Sequence, residues 1–192
     1  MRIIAGTKKG MKLLGPESDV SRPILDRVKE SLFSVLYKYD VPAGKTVADL
    51  FSGVGSLGLE SLSRGADFVT FIEKEAKIIQ ILKKNIEKAG FVSESKVIRA
   101  DAFKIGAPVD FDRRRYDVVF VDPPYSTTEN VGEGSPLSRL LSVLGQHLAA
   151  DGIVVVRTAK RTELLAQYEK LKIIERRQWS NMAVTILAGA SR

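Results

Sequence analysis

Apolar residues recur at helical spacing from Pro23 to about Tyr39, at Leu25, Val28, Leu32, Val35, Leu36 and Tyr39, with Pro23 tolerated in the first turn. Before them, Ile3-Ile4 and Met11 to Leu14 flank Gly6-Thr7-Lys8-Lys9-Gly10, the pattern of a hairpin with a basic turn. After Pro42-Ala43-Gly44 the period changes repeatedly between two and 3.6. Strands are predicted over Thr46 to Phe51, Phe68 to Ile72, from Val97-Ile98, over Tyr116 to Val121 and over Gly152 to Val156. Helices are predicted over Ser56 to Arg64, Ala76 to Lys88, Pro136 to Leu148, and near Arg161 to Tyr168. The last two strands, Lys172 to Arg177 and Ala183 to Leu187, lie too close for a helical crossover and must pair antiparallel. The expected fold class is therefore α/β, an open, mostly parallel sheet with an antiparallel C-terminal strand pair, binding ligands beyond the carboxyl ends of its strands. We divide it into a 1–45 extension of hairpin and helix, a cover for cofactor and nucleic acid, and a main domain over 46–192.

Composition narrows the chemistry. A chain of 192 residues, 44% apolar, buries one main core. Thirty Lys and Arg against 23 Asp and Glu leave a formal charge of +7, which suits a polyanionic partner and equally suits a merely soluble basic protein. There is no cysteine and one histidine, His147, so neither a thiolate nucleophile nor a Cys/His or histidine-rich metal site can be assembled, and no metal is expected. His147 reads as a solvated or capping residue on the helix with Leu140, Leu141, Leu144 and Leu148. No apolar run approaches about 18 residues. The expectation is a soluble, cytoplasmic monomer with no membrane partner.

The first strand runs into Asp49-Leu50-Phe51-Ser52-Gly53-Val54-Gly55-Ser56-Leu57-Gly58. Gly53 and Gly55 let the backbone turn and approach a ligand, and Gly58 allows close helix packing. Glu73, ending the next strand about 20 residues on, is placed to accept hydrogen bonds from a ribose diol. These features fit a nicotinamide enzyme or an S-adenosylmethionine (SAM) enzyme. Asp49 favours SAM, because a carboxylate there can face a cationic amino group and would repel a pyrophosphate. The unpaired N–H groups of the helix starting near Ser56 can anchor a carboxylate. Asp101 offers an acceptor to the adenine amino group, with Phe103 or Ile72 as apolar cover, unless it is only a loop acid or helix cap.

The most informative segment is Val118-Val119-Phe120-Val121-Asp122-Pro123-Pro124-Tyr125. Proline lacks a donor but keeps its carbonyl, so an amino group can give one proton to the Asp122 carboxylate and another to the carbonyl of Pro123 or Pro124. An exocyclic base nitrogen delocalises its lone pair into the ring and is a poor nucleophile. Holding both N–H groups favours the tetrahedral geometry needed to attack a methyl group in line with its leaving sulfonium. Tyr125 can stack on the unpaired base.

With these segments the chain resembles, over nearly its whole length, the bacterial 16S ribosomal RNA guanine-N2 methyltransferase family (small-subunit methyltransferase D). The resemblance rests on Arg2-Ile3-Ile4-Ala5-Gly6 with Lys12-Leu13, Ser21-Arg22-Pro23 followed by Asp26-Arg27-Val28-Lys29-Glu30-Ser31-Leu32-Phe33, the glycine block through Leu59-Glu60, and Asp122-Pro123-Pro124-Tyr125. It implies a Rossmann-like SAM-dependent methyltransferase fold. It also implies methylation of guanine N2 in small-subunit rRNA, at the position usually numbered 966, on a ribonucleoprotein assembly intermediate. Asp49, Gly53, Gly55, Glu73 and Asp101 then correspond to SAM residues, Asp122 with Tyr125 to target-amine residues, and Arg22 and Arg27 can contact phosphate, Arg27 equally well facing Glu30 or solvent. Relatives often carry Phe at the position of Tyr125, and an acid where this chain has Arg157-Thr158 after the strand ending near Val156. Arg113-Arg114-Arg115 either grips phosphate or is a solvated loop, and Trp179 either stacks on RNA or plugs the sheet edge. The competing functions are a DNA adenine-N6 methyltransferase, which commonly needs a target-recognition domain that no segment here is long enough to be, a non-catalytic RNA-binding assembly factor, and a nicotinamide oxidoreductase.

Overall fold

The computed structural model describes residues 1–16, 25–109, 115–179 and 181–189. Five parallel strands form one side of an eight-stranded sheet: β1 (Thr46–Leu50), β2 (Phe68–Glu73), β3 (Ser95–Arg99), β4 (Tyr116–Val121) and β5 (Leu148–Ala159). β6 (Gln167–Tyr168), β7 (Leu171–Trp179) and β8 (Met182–Gly189) extend it antiparallel, in the order β3-β2-β1-β4-β5-β8-β7-β6. This is the Rossmann-like SAM-dependent methyltransferase fold expected from the sequence.

Strand residues alternate between two apolar layers. Val47, Val69, Phe71, Val118, Phe120 and Val155 face α1 (Asp26–Leu36), α2 (Ser56–Ser63) and α3 (Ala76–Ala89). Ala48, Leu50, Ile72, Val119, Val121 and Val154 face α4 (Ala102–Ile105) and α5 (Pro136–Leu144). The central strands are apolar on both faces for that reason. Gly58 lies where α2 crosses β2: a Cβ there would stand 2.2 Å from the Phe71 ring.

Several expected elements differ. The helix from Pro136 ends at Leu144, and Leu148 begins β5, so His147 sits in the turn between them. No helix forms near Arg161 to Tyr168. The Lys160 and Thr162 carbonyls, which a helix would satisfy internally, accept from the Arg176 guanidinium at 2.9 and 3.1 Å. The Leu165 N–H donates to the Tyr168 hydroxyl, and the short β6 pairs with β7. Tertiary partners override a local preference worth only tenths of a kcal/mol per residue. At the N-terminal end, Pro23 lies outside the described residues. The expected hairpin is a single antiparallel bridge, Arg2 to Lys12, and the strand expected to Phe51 stops at Leu50.

Residues 1–14 are fastened to the sheet domain by a buried charge network. Lys29 and Glu60, both fully buried, pair at 3.1 Å, and Glu60 also pairs with Arg64 at 2.8 Å. The Glu60 oxygens accept the Ile4 and Ala5 N–H groups, while the Lys29 ammonium donates to the Arg2 carbonyl. Burial lowers the Lys29 pKa, and Glu60 opposes that by holding the proton. Gly6 lies so close to α2 that a Cβ would stand 1.7 Å from the Ser63 carbonyl oxygen. Asn85 on α3 completes the fastening, exchanging hydrogen bonds with the Leu14 backbone and donating to the Val54 carbonyl in the glycine loop. Glu60→Ala strands a buried ammonium and two backbone donors. Chemical denaturation should show a loss of about 3–5 kcal/mol, and a loss below about 1 kcal/mol would deny the network this role.

Candidate active site

The site lies where the sheet order reverses, between β1 and β4. Leu50 pairs with Val121, so the loops leaving both strands begin level, and the Asp122 N–H reaches toward the Leu50 carbonyl. After β1 the chain turns left-handed at Phe51 (φ 62°), Gly53 (φ 54°) and Gly55 (φ 92°) before entering α2. A Cβ on Gly55 would stand 2.6 Å from Leu82, whereas nothing lies within 4 Å of the missing Gly53 Cβ. Gly55 is therefore needed for packing, and Gly53 borders open space.

Four acids approach this space. Asp49 is 2% exposed and accepts the Gly58 N–H at 2.9 Å. Burial pushes its carboxyl up to about 7, helped by the charges of Asp122 and Glu73 and opposed by the Gly58 hydrogen bond and Arg157. Its contact with the loop is through the backbone of α2. Glu73 ends β2 and accepts the Gly53 N–H at 3.0 Å through one oxygen and the Lys74 and Glu75 N–H groups through the other. Asp101 caps α4, accepting the Phe103 N–H at 3.0 Å, and the Phe103 ring packs on Phe51 with centroids 4.7 Å apart.

The fourth acid is Asp122. Its Oδ1 accepts from the Arg157 Nε at 2.5 Å, and the Arg157 guanidinium lies 6.0 Å from the centre of the Tyr125 ring. Burial raises the Asp122 pKa, and Arg157 pulls it back. The Pro124 carbonyl accepts both the N–H and the hydroxyl of Thr127, at 2.9 and 2.7 Å. Pro123 is buried, and among the described residues no hydrogen bond ends on its carbonyl. Beyond Tyr125 opens a groove of about 620 Å³, bordered by Lys160, Arg161 and Asn181.

The structure thus brings Asp49, Gly53, Gly55, Glu73, Asp101, Phe103, Asp122, Pro123 and Tyr125 to one end of the sheet. Arg27 is exposed on α1, two residues before Lys29, whose ammonium reaches Ser56 at the start of α2. Arg22, Arg113 and Arg114 lie outside the described residues. Trp179 packs against the core layer that carries α1. His147 is half-buried and borders a pocket with Phe103 and Gly106, its pKa lowered by burial and Arg115. Sequence reasoning missed Lys29, Glu60 and Arg157 as partners, and only the departure at Arg157 from the resembled pattern drew notice.

The residues gathered here suit a cofactor with a ribose diol, an adenine and a cationic amino acid end. Carboxylates edge it, the Phe51–Phe103 pair can cover a flat ring, Gly53 leaves room, and the buried Ser52 hydroxyl has no partner among the described residues. Fold and site together define a SAM-dependent methyltransferase. The chain belongs to the family described as conserved hypothetical protein 95, which matches residues 1–188. It is 32% identical over 166 residues to the Bacillus subtilis protein named "Putative rRNA methyltransferase YlbH", covering 85% of each chain. It is 40% identical over 131 residues to the Haemophilus influenzae ribosomal RNA small subunit methyltransferase D, a match spanning 65% of this chain and 64% of that protein. A solved Escherichia coli structure described as "Putative methyltransferase yhhF" superposes with a TM-score of 0.80 at 29% identity, over 100% of this chain and 99% of that one.

The raised Asp49 pKa sets a pH dependence. An acid whose folded pKa is about 7 rather than 3.8 holds a proton in the folded state that the unfolded state releases, so its contribution to stability is fully present below 3.8 and is lost as pH rises through 7. Asp49→Asn keeps an acceptor for Gly58 and removes the titration. Its stability relative to the parent, measured by denaturant unfolding, should improve by about 2–3 kcal/mol between pH 5 and pH 8. A pH-independent difference would contradict the buried, raised carboxyl.

Proposed function

We propose that this chain transfers a methyl group from SAM to the exocyclic N2 of a guanine in 16S rRNA, at the position usually numbered 966, acting as a cytoplasmic monomer on a small-subunit assembly intermediate. The observation that carries this reading is the pair of oxygen acceptors, the Asp122 carboxylate and the Pro123 carbonyl, standing level with the glycine loop across the β1–β4 crevice. The names of the relatives add rRNA as the substrate class.

The bound cofactor supplies an electrophilic methyl on a sulfonium. Glu73 and Asp101 hold its ribose and adenine, and Gly53 gives it room. On the other side, Asp122 accepts one proton of the target amine through the oxygen not taken by Arg157. The second proton goes to the Pro123 carbonyl, since that of Pro124 is occupied by Thr127. Both bonds turn the nitrogen lone pair away from the ring, and Tyr125 stacks on the base. After transfer the cationic nitrogen loses a proton to Asp122 or water. No covalent intermediate forms with the protein. The groove beside Tyr125, with Lys160 and Arg161 at its border, offers a path for the phosphates flanking the target. Arg22 and Arg27 add phosphate contacts in this reading.

Incubation with labelled SAM and, separately, rRNA, assembling small subunits and DNA, followed by mapping of the product, tests the proposal. Label on guanine N2 of the small-subunit RNA is expected, and label on DNA adenine would overturn it. In the same assay Asp122→Ala should lower transfer by about 10²-fold or more with SAM affinity nearly unchanged, and a fully active variant would remove Asp122 from the mechanism.

A further inference from the structure

Arg157 stands beside Asp122 and Tyr125, the side chains assigned to the target base, and nothing in the transfer chemistry requires a cation there. Its side chain projects from β5, the strand beside β4, and its Nε donates to Asp122 Oδ1 at 2.5 Å. Both side chains are largely withdrawn from water, 14% exposed for Arg157 and 16% for Asp122. The same guanidinium lies over the Tyr125 ring at 6.0 Å. One arginine therefore touches both residues that meet the target base.

We propose that Arg157 is a positioning residue for methyl transfer, holding Asp122 ionised in a buried pocket and reserving a single carboxylate oxygen for the target amine. The inference rests on the reading of Asp122 as the amine acceptor. A carboxylate withdrawn from water tends to take up a proton, and a protonated Asp122 would present a hydroxyl donor where an acceptor is needed. Burial drives that loss, and Arg157 is what opposes it. Among the neighbouring groups, Asp49 on β1 is the acid whose charge meets that of Asp122, Tyr125 follows on the same turn, and Arg157 on β5 is the cation bonded to the carboxylate. The arginine also fixes direction. With Oδ1 engaged, the amine's first proton has Oδ2 as its acceptor on this side chain, and its second proton must find the Pro123 carbonyl. The pair thus sets the plane in which the nitrogen is held, while the guanidinium backs the ring on which the base stacks. No atom of Arg157 exchanges a proton or bond with the substrate.

Arg157→Gln and Arg157→Lys variants of the full chain separate this role from packing. Two measurements are needed: the pH dependence of kcat on the RNA substrate, and, without RNA, NMR titration of the Asp122 side-chain carboxyl in the SAM-bound protein. In Arg157→Gln the Asp122 midpoint should move up by about one unit or more, and the acid limb of kcat should move with it. Activity then falls about ten-fold at the foot of the parent's plateau and recovers at higher pH. Arg157→Lys should keep most of the parent profile, and SAM affinity should be the same in all three proteins. An unmoved Asp122 titration in Arg157→Gln overturns the proposal whatever the activity, as does a loss of kcat equal at every pH. Absence of transfer by the parent protein itself would instead overturn the assigned reaction, and the NMR titration would still report on the pair.

Discussion

Parallel pairing of β1 with β4 is the constraint on which the site depends. The chain leaves β1 through α2 toward β2 and leaves β4 through α5 toward β5, so the two connections diverge and a crevice opens at the carboxyl ends. The register places Leu50 beside Val121, and two loops of opposite character begin at the same height. One is rich in glycine and edged by acids, and the other is stiffened by two prolines. Neither loop would make a transfer site alone, because a cofactor pocket without acceptors holds no amine and an acceptor pair without a methyl donor does no chemistry.

That crevice is kept in shape from the face of the sheet that carries α1, α2 and α3. The Lys29–Glu60–Arg64 network ties residues 1–14 and α1 to α2, the helix that the glycine loop opens, and Asn85 ties Leu14 and Val54 to α3. Buried ion pairs seldom add much net stability over apolar packing, but they tolerate no missing partner. Here the network fixes where the N-terminal segment lies relative to the cofactor loop. The 1–45 extension, proposed as a cover, is in this respect continuous with the core: Ile3, Leu13, Val28, Leu32 and Phe33 share one apolar layer with Val47, Phe71 and Phe120.

Much of this was legible because local pattern and tertiary demand agree in the central strands. Runs such as Tyr116–Val121, apolar on both faces, leave little choice but a buried parallel strand, and Asp122-Pro123-Pro124 must then fall at the ligand edge. The glycine block was readable for a similar reason, since Gly55 and Gly58 occupy positions where a Cβ would collide with Leu82 and Phe71. What failed to show depends on residues distant in sequence. The segment after Lys160 has helical composition, yet Arg176 on β7 takes its carbonyls and Tyr168 docks in the core. Lys29 looked like one more basic residue on an amphipathic helix, because periodicity says nothing about an acid 31 positions away. Arg157 carried no local signal of its own, and its meaning came only with the carboxylate of Asp122, 35 residues earlier. The Pro124 carbonyl likewise accepts the N–H and hydroxyl of Thr127, a partner that no motif includes.

The account stands on a target amine gripped by two oxygens at the end of β4. A structure of the protein with the demethylated cofactor and a guanine-bearing fragment of small-subunit RNA would display that grip or its absence. The guanine N2 should lie within about 3 Å of both the free Asp122 oxygen and the Pro123 carbonyl, with Tyr125 against the base. A base seated elsewhere, with the Asp122 carboxylate enclosed by Arg157 and turned from it, would contradict the account.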